Sequence, residues 1–335
     1  MLSKITVAPA PHIAKSHSTQ SIMFEVILAL CPAMLAGMWL FHHYAVVLLI
    51  ACIGSCLLTE WACNWVRQKP NSLDDLSAVV TGILLAMSLP PALPFWAAII
   101  GSVFAIAVGK MVFGGLGCNV FNPAMIGRAF LTASFGTLMT TWTVPATMDT
   151  QMPTLRPDAA IATTQATPLA WSKEAIKGKT DASVVAAQRW DSFVGQVGGC
   201  LGETSALAML IGGAFLLLRG TISWHIPVSA LLAAAICATI GFFINPVRFM
   251  SPDLHILTGG LLMGVFFIAT DPVTAPLSGR GMLIFGAGVG GLTMLIRMVG
   301  EYPEGVMYAV LIMNAFTPLI DRFCKLIPVG GKVNG

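Results

Sequence analysis

Charge is what this sequence has least of. Only 10 % of its 335 residues are Asp, Glu, Lys or Arg, while 56 % are hydrophobic. Soluble domains carry about 25 % charged residues, so a water-soluble enzyme of this length is excluded, because these charges cannot cover its surface. A net charge of +3 gives no basic field for nucleic acid, and the mean hydropathy is +0.82. Paired cysteines are missing too. The eight cysteines form no Cys-x-x-Cys and most lie in apolar runs, which argues against a zinc site, a thioredoxin motif or a self-contained iron–sulfur module. The alternating strands of an outer-membrane barrel are absent. No cleavable signal peptide is read at the start: Lys4, His12, Lys15 and His17 precede an apolar run that begins only at Phe24. The class left is an all-α polytopic membrane protein embedded in lipid.

What is present are apolar runs of spanning length, roughly 20 residues each. Spans are predicted at Phe24–Phe41, Tyr44–Val66, Ala78–Leu89, Phe95–Phe113 and Ala124–Leu138, and again at Ser205–Leu218, Ile226–Ile244, Leu254–Ala269, Met282–Val299 and Val306–Phe323. That is ten helices as five plus five. The organisation expected is a cytoplasmic segment 1–23, a first repeat 24–138, a loop 139–204, a second repeat 205–323 and a cytoplasmic tail 324–335. The loop holds Pro145, Pro153, Pro157 and Pro168, a charged stretch Lys173–Lys179, and one short helix expected near Ser183–Trp190.

Basic residues in short loops orient the chain. With both termini cytoplasmic, Lys4, Lys15, Arg67, Lys69, Arg219, Arg280, Arg322, Lys325 and Lys332 lie inside, and only Arg248 and Arg297 fall near short outer loops. The long loop then faces the periplasm or exterior of an inner, cytoplasmic membrane.

The halves resemble each other. Thr81-Gly82-Ile83-Leu84-Leu85 recurs as Thr258-Gly259-Gly260-Leu261-Leu262, and Asn119-Val120-Phe121-Asn122-Pro123 as Asn314-Ala315-Phe316-Thr317-Pro318. Five spans per repeat invert the second copy in the membrane. The third and eighth spans are short and stop at Pro90-Pro91 and Asp271-Pro272, and paired interrupted segments mark the binding site in inverted-repeat proteins.

The sharpest local feature is Gly198-Gly199-Cys200-Leu201-Gly202-Glu203-Thr204-Ser205-Ala206-Leu207, where the loop enters the sixth span. Glycines allow a tight turn and close approach of a bulky group. A helix start favours an anion such as a phosphate ester; equally, Thr204 or Ser205 simply caps the helix.

Gly-Glu-Thr-Ser-Ala-Leu after a glycine turn resembles the flavin-attachment site of the membrane flavin subunits of the Rnf and sodium-pumping NADH:quinone oxidoreductase families. Two further segments share the likeness: Gly114-Gly115-Leu116-Gly117-Cys118-Asn119-Val120-Phe121-Asn122-Pro123-Ala124 with Gly127-Arg128, and Ala269-Thr270-Asp271-Pro272-Val273-Thr274-Ala275-Pro276-Leu277 with Gly279-Arg280-Gly281. It covers nearly the whole chain and is closer to the Rnf branch. The resemblance implies FMN joined to Thr204 by a phosphodiester, with Gly202, Glu203, Ser205, Asn119, Asn122, Arg128 and Asp271 as further cofactor-binding candidates. A noncovalent riboflavin is implied by analogy with the quinone-linked relatives. Also implied are partners in an Rnf-type complex, including a second FMN-bearing subunit and iron–sulfur subunits, with electron exchange between NADH and ferredoxin coupled to ion movement.

Intramembrane charge is functional by default. Arg128, Asp271 and Lys110 are expected to line one flavin and ion region between the repeats. Alternatively, Lys110 snorkels to the cytoplasmic interface and Asp271 satisfies backbone donors beside Pro272. Glu25 and Glu60 are expected to be solvated. Gly286-Ala287-Gly288-Val289-Gly290-Gly291 reads as helix packing, and His42-His43 lacks metal-ligand spacing. The competing functions are a small-solute transporter or channel of ten helices, and a structural subunit without flavin.

Overall fold

The computed structural model describes residues 18–142, 167–179, 189–195 and 197–325; most of the predicted terminal segments, and the short helix expected near Ser183–Trp190 except its last two residues, lie outside them. The helices are α1 Thr19–Phe41, α2 His43–Val66, α3 Ser77–Met87, α4 Phe95–Ile106, α5 Pro123–Ser134, α6 Gly136–Met139, α7 Pro168–Ile176, α8 Arg189–Val194, α9 Ala206–Arg219, α10 His225–Ile244, α11 Pro252–Leu257, α12 Leu261–Met263, α13 Gly279–Met298 and α14 Val306–Phe323. No strand occurs among the described residues. Five helices, α1, α2, α10, α13 and α14, are long and apolar enough to cross a membrane, and α3, α4 with its extension to Met111, and α9 are shorter apolar helices. The molecule is a membrane protein. Trp39, Trp65, Leu218, Phe243 and Phe323 are exposed on its surface, as lipid-facing side chains must be.

Helix starts follow their capping residues. Asn122 accepts from the Met125 N–H at 3.3 Å with Pro123 in the first turn of α5, and Thr167 accepts from Ala170 N before Pro168 of α7. Both patterns supply an acceptor to an orphan donor and place proline where no N–H is needed. At α9 the helix ends on Gly220 with φ +73, a left-handed position natural to glycine. Two glycines of α13 pack helices: Gly286 faces the backbone of Ile226 and Gly290 that of Ala230 on α10, leaving no room for a Cβ.

Two predicted spans are not single helices. Leu254–Ala269 breaks at Thr258–Gly260 between α11 and α12 and then continues as a π-helical turn over Gly264–Ile268. Ala124–Leu138 is interrupted at Phe135, between α5 and α6. A second π-helical turn, Ala107–Met111, extends α4 and carries Lys110; such turns collect at functional sites.

Part of the long loop is also helical. From α7, Lys173 donates to the Ile296 carbonyl at 3.2 Å and to that of Gly300, and Lys177 pairs with Glu301 at 2.8 Å. These contacts strap α7 across the end of α13. Burial pushes the Lys173 ammonium pKa down, and Lys177 holds the exposed Glu301 carboxyl below its ordinary value.

Candidate functional site

The residues singled out from the sequence collect at two places, not one. Met23 of α1 lines the first place, and Gly37 of the same helix packs on Leu201 at the second. Fourteen residues of helix separate them, about 20 Å at 1.5 Å per residue.

At the first place, a pocket open to solvent is bounded by Lys110, Asn119, Asn122 and Asp271, among apolar walls that include Leu84, Phe266 and Phe267. Asp271 accepts from Val273 N at 3.1 Å and Thr274 Oγ1 at 3.2 Å, the local donors expected beside Pro272, and also faces Asn122 Nδ2 at 3.4 Å. Asn119 is buried, and its Oδ1 has no partner among the described residues. Lys110 corrects two expectations. It does not snorkel: it is 1 % exposed and donates to Glu60 Oε2 and Ser77 Oγ, both at 2.6 Å. Glu60 is not solvated either. It is 0 % exposed, and its other oxygen accepts from Ser72 at 2.5 Å. Each removes the need of the other for water.

The second place is built around the glycine turn. Gly202 N donates to Met87 O at 2.6 Å and Leu201 N to Leu89 O at 3.2 Å, so the turn hydrogen-bonds to the unwound end of α3. A Cβ on Gly202 would lie 2.7 Å from Met263 Sδ and 3.0 Å from Met87 O, which explains a glycine there. Ser205 is the cap of α9, accepting from Ala208 N at 3.3 Å. Thr204 therefore has no capping duty. Its hydroxyl donates to Leu201 O at 3.2 Å, and the residue is 1 % exposed.

Arg128 joins this second place rather than the first, which corrects the expectation that it lies with Asp271 and Lys110. Its Nη2 is 3.4 Å from Glu203 Oε1 and 3.5 Å from Cys200 Sγ. On the far side of Glu203 a second buried pair closes the region. Arg297 contacts Glu304 at 3.3 Å and donates to the carbonyls of His255 at 2.6 Å and Thr258 at 3.2 Å. Glu304 also accepts from the N–H groups of Gly260, Gly305 and Val306. Arg297, expected near an outer loop, is only 2 % exposed.

Glu60, Arg297 and Glu304 are thus structural participants beyond the candidates that the sequence singles out. The signal was there for Arg297: an arginine within an apolar run is the cue that also marks Arg128. No residue pattern announces Glu304, whose partners come from three separate segments.

The groups a phosphate ester would need are near one another: a hydroxyl not needed as a cap stands at a glycine turn just before α9, and the Arg128 guanidinium lies beyond the neighbouring Glu203. Among the described residues no His, Cys, Asp or Glu cluster could hold a metal ion.

Comparison with known proteins places the chain. The sequence pattern of the NQR2, RnfD, RnfE family matches residues 6–330. The D component of the Na(+)-translocating ferredoxin:NAD(+) oxidoreductase complex of Acetobacterium woodii is 43 % identical over 324 residues, covering 96 % of this chain and 94 % of that protein. The D component of the proton-translocating ferredoxin:NAD(+) oxidoreductase complex of Clostridium ljungdahlii is 40 % identical over 340 residues, 98 % and 96 % of the two chains. The corresponding component of the ion-translocating oxidoreductase complex of Cronobacter sakazakii is 39 % identical over 341 residues, 95 % and 97 %. With a match over nearly its whole length, the chain belongs to the NQR2, RnfD, RnfE family.

Proposed function

We propose that this chain is the flavin-carrying membrane subunit of an ion-translocating oxidoreductase complex that exchanges electrons between NADH and ferredoxin. The observation that carries the reading is the division of labour at the glycine turn: Ser205 caps α9, and the Thr204 hydroxyl is left for a phosphodiester to FMN. Attachment would take the Thr204 hydroxyl off the Leu201 carbonyl and would leave the Ser205 cap as it is. When bound, a flavin passes electrons one at a time, which suits a relay between iron–sulfur centres and other flavins. The chain's own residues supply position and charge. Gly202 lets the turn sit against α3, Arg128 offers a fixed cation, and the Arg297–Glu304 pair holds the broken helix beside Glu203.

The cavity at the other place suits a neutral flavin such as noncovalent riboflavin. Its ammonium, Lys110, is already neutralised by Glu60, so no phosphate is called for. Asn119, Asn122 and Asp271 offer amide and carboxylate groups between aromatic walls.

Ten spans in two inverted halves fit this reading. Five helices are long and apolar enough to cross a membrane and three more are shorter and apolar, and the repeated Thr-Gly motifs behave alike: Thr81 donates to Ser77 O at 2.9 Å and Thr258 to Leu254 O at 2.6 Å. Lys110 and Arg297 each leave the end of a helix to bond the segment around these threonines. Both termini are then cytoplasmic, the long loop is periplasmic or external, and the membrane is the inner one. The partners are the remaining Rnf-type subunits, including a second FMN-bearing subunit and iron–sulfur subunits.

The test is covalent flavin per polypeptide, read by fluorescence of the denatured band and by intact mass, in cells able to attach flavin. Thr204→Val removes the adduct, and Ser205→Ala keeps it. A colourless unaltered chain sinks the reading and favours a solute transporter built around the pocket of Asn119, Asn122 and Asp271.

A further inference from the structure

Unused positive charge collects where α13 begins and α14 ends. These helices run antiparallel and touch: a Cβ on Gly281 would lie 3.2 Å from Ile320, and one on Gly288 2.5 Å from Met313. Leu277 N donates to Asp321 at 3.1 Å, which ties the segment before α13 to the last turn of α14. Arg280 and Arg322 therefore stand at the same end of the pair, and both are exposed. Neither has a partner among the described residues. The carboxylates at this end are engaged elsewhere: Asp321 by Leu277, Glu25 by Arg219 and Thr221, and Asp271 by Val273 and Thr274.

Along the membrane from these charges, both helices turn an apolar stripe outward. On α14 it is Ile312, Phe316, Leu319 and Phe323, from 41 to 79 % exposed. On α13 it is Leu283, Ile284 and Ala287, in line with Arg280. At about 100° per residue, each stripe lies about a quarter turn from the residues that touch the other helix, in the same sense of its own numbering. For antiparallel neighbours, equal offsets come out on one side of the pair. The two stripes thus form a single apolar face with guanidinium groups at its end. From Ile312 to Phe323 the face is about 16 Å long at 1.5 Å per residue, close to half of the roughly 30 Å hydrocarbon core of a bilayer.

We propose that Arg280 and Arg322 bind the phosphate of an anionic phospholipid whose acyl chains lie along the stripes of α13 and α14. Arginine meets a phosphate through two parallel N–H···O bonds, and basic residues at a membrane surface favour anionic headgroups. A zwitterionic lipid brings its own cation, which competes with the guanidinium groups. A partner subunit's helix would cover the stripes, but the two unpaired cations at their end favour a lipid.

The test is native mass spectrometry of the full chain, titrated with phosphatidylglycerol or with phosphatidylcholine of the same acyl chains. One phosphatidylglycerol should be retained at least tenfold more strongly. Each guanidinium is worth about fivefold, so Arg280→Gln combined with Arg322→Gln should abolish the preference. Arg248→Gln, which removes an exposed arginine beyond the far end of α10, should leave it unchanged. Phe316→Ala should weaken retention, as an acyl contact requires. Equal retention of the two lipids, or a preference that survives the double substitution, would mean an ordinary lipid annulus and overturn the proposal. Displacement by inorganic phosphate together with no effect of Phe316→Ala would assign a free anion instead and overturn it too. The same lipid count on the intact complex should show phosphatidylglycerol in excess over the double variant; no excess would mean that a partner subunit covers this face, and the proposal would fall.

Discussion

A lysine near the end of an apolar helix ordinarily lays its stem along the bundle and keeps its ammonium in water. Lys110 turns inward because Glu60 of α2 meets it at 2.6 Å and Ser77 of α3 adds a second acceptor. Neither partner is a neighbour in sequence, so hydropathy cannot reveal the arrangement. The pair is buried on both sides, and removing one member of such a pair costs about 3–5 kcal/mol because the other charge is stranded. Glu60→Gln should therefore lower the thermal unfolding midpoint in detergent. Lys110→Met together with Glu60→Leu should recover most of the loss, since replacing both charges restores an apolar contact. A double variant as unstable as Glu60→Gln would mean that the pair is not closed in the protein.

At the scale of elements, continuous apolar helices were legible and broken ones were not. The run from Leu254 to Ala269 is apolar enough to read as one span, and only Gly259-Gly260 hinted at interruption. What breaks it is tertiary. Gly259 has φ +70, and the position of a Cβ there is taken by the Glu304 carboxylate. Gly259→Ala should destabilise the protein by about 1–3 kcal/mol, the cost of a left-handed non-glycine residue, with further loss from displacing Glu304. Gly291→Ala is the control. Gly291 lies within α13 with nothing within 4 Å of its Cβ position, so alanine should be neutral or stabilising by about 0.5–1 kcal/mol. Thermal unfolding of the two variants side by side decides this; equal destabilisation would remove the special role of the break.

Across the whole molecule, the loop helix α7 and the Arg297–Glu304 pair lie at one end of the bundle, and Glu25 with Arg219 lies at the other. On the proposed topology the first end faces the outside. A reporter inserted in the 143–166 segment should read as external, and one fused after Gly335 as cytoplasmic. A cytoplasmic signal from the loop would reverse the topology and put Thr204 on the other face of the membrane.

The sequence by itself determined the membrane class, the approximate extent of the helices, the glycine turn with Thr204 and Ser205, and the family. These are properties of local composition and of motifs a few residues long, where neighbours in sequence are neighbours in space. Only the tertiary structure decided that Ser205 and not Thr204 caps α9, and that Lys110 and Arg297 are buried. It also decided that Arg128, about 9 Å along α5 from Asn122 at 1.5 Å per residue, meets Glu203 rather than the cavity that Asn122 and Asp271 line. The reason is physical. A charge inside an apolar bundle is tolerated only where a counter-charge or carbonyl from a distant segment meets it, and which segment does so is set by how the helices pack.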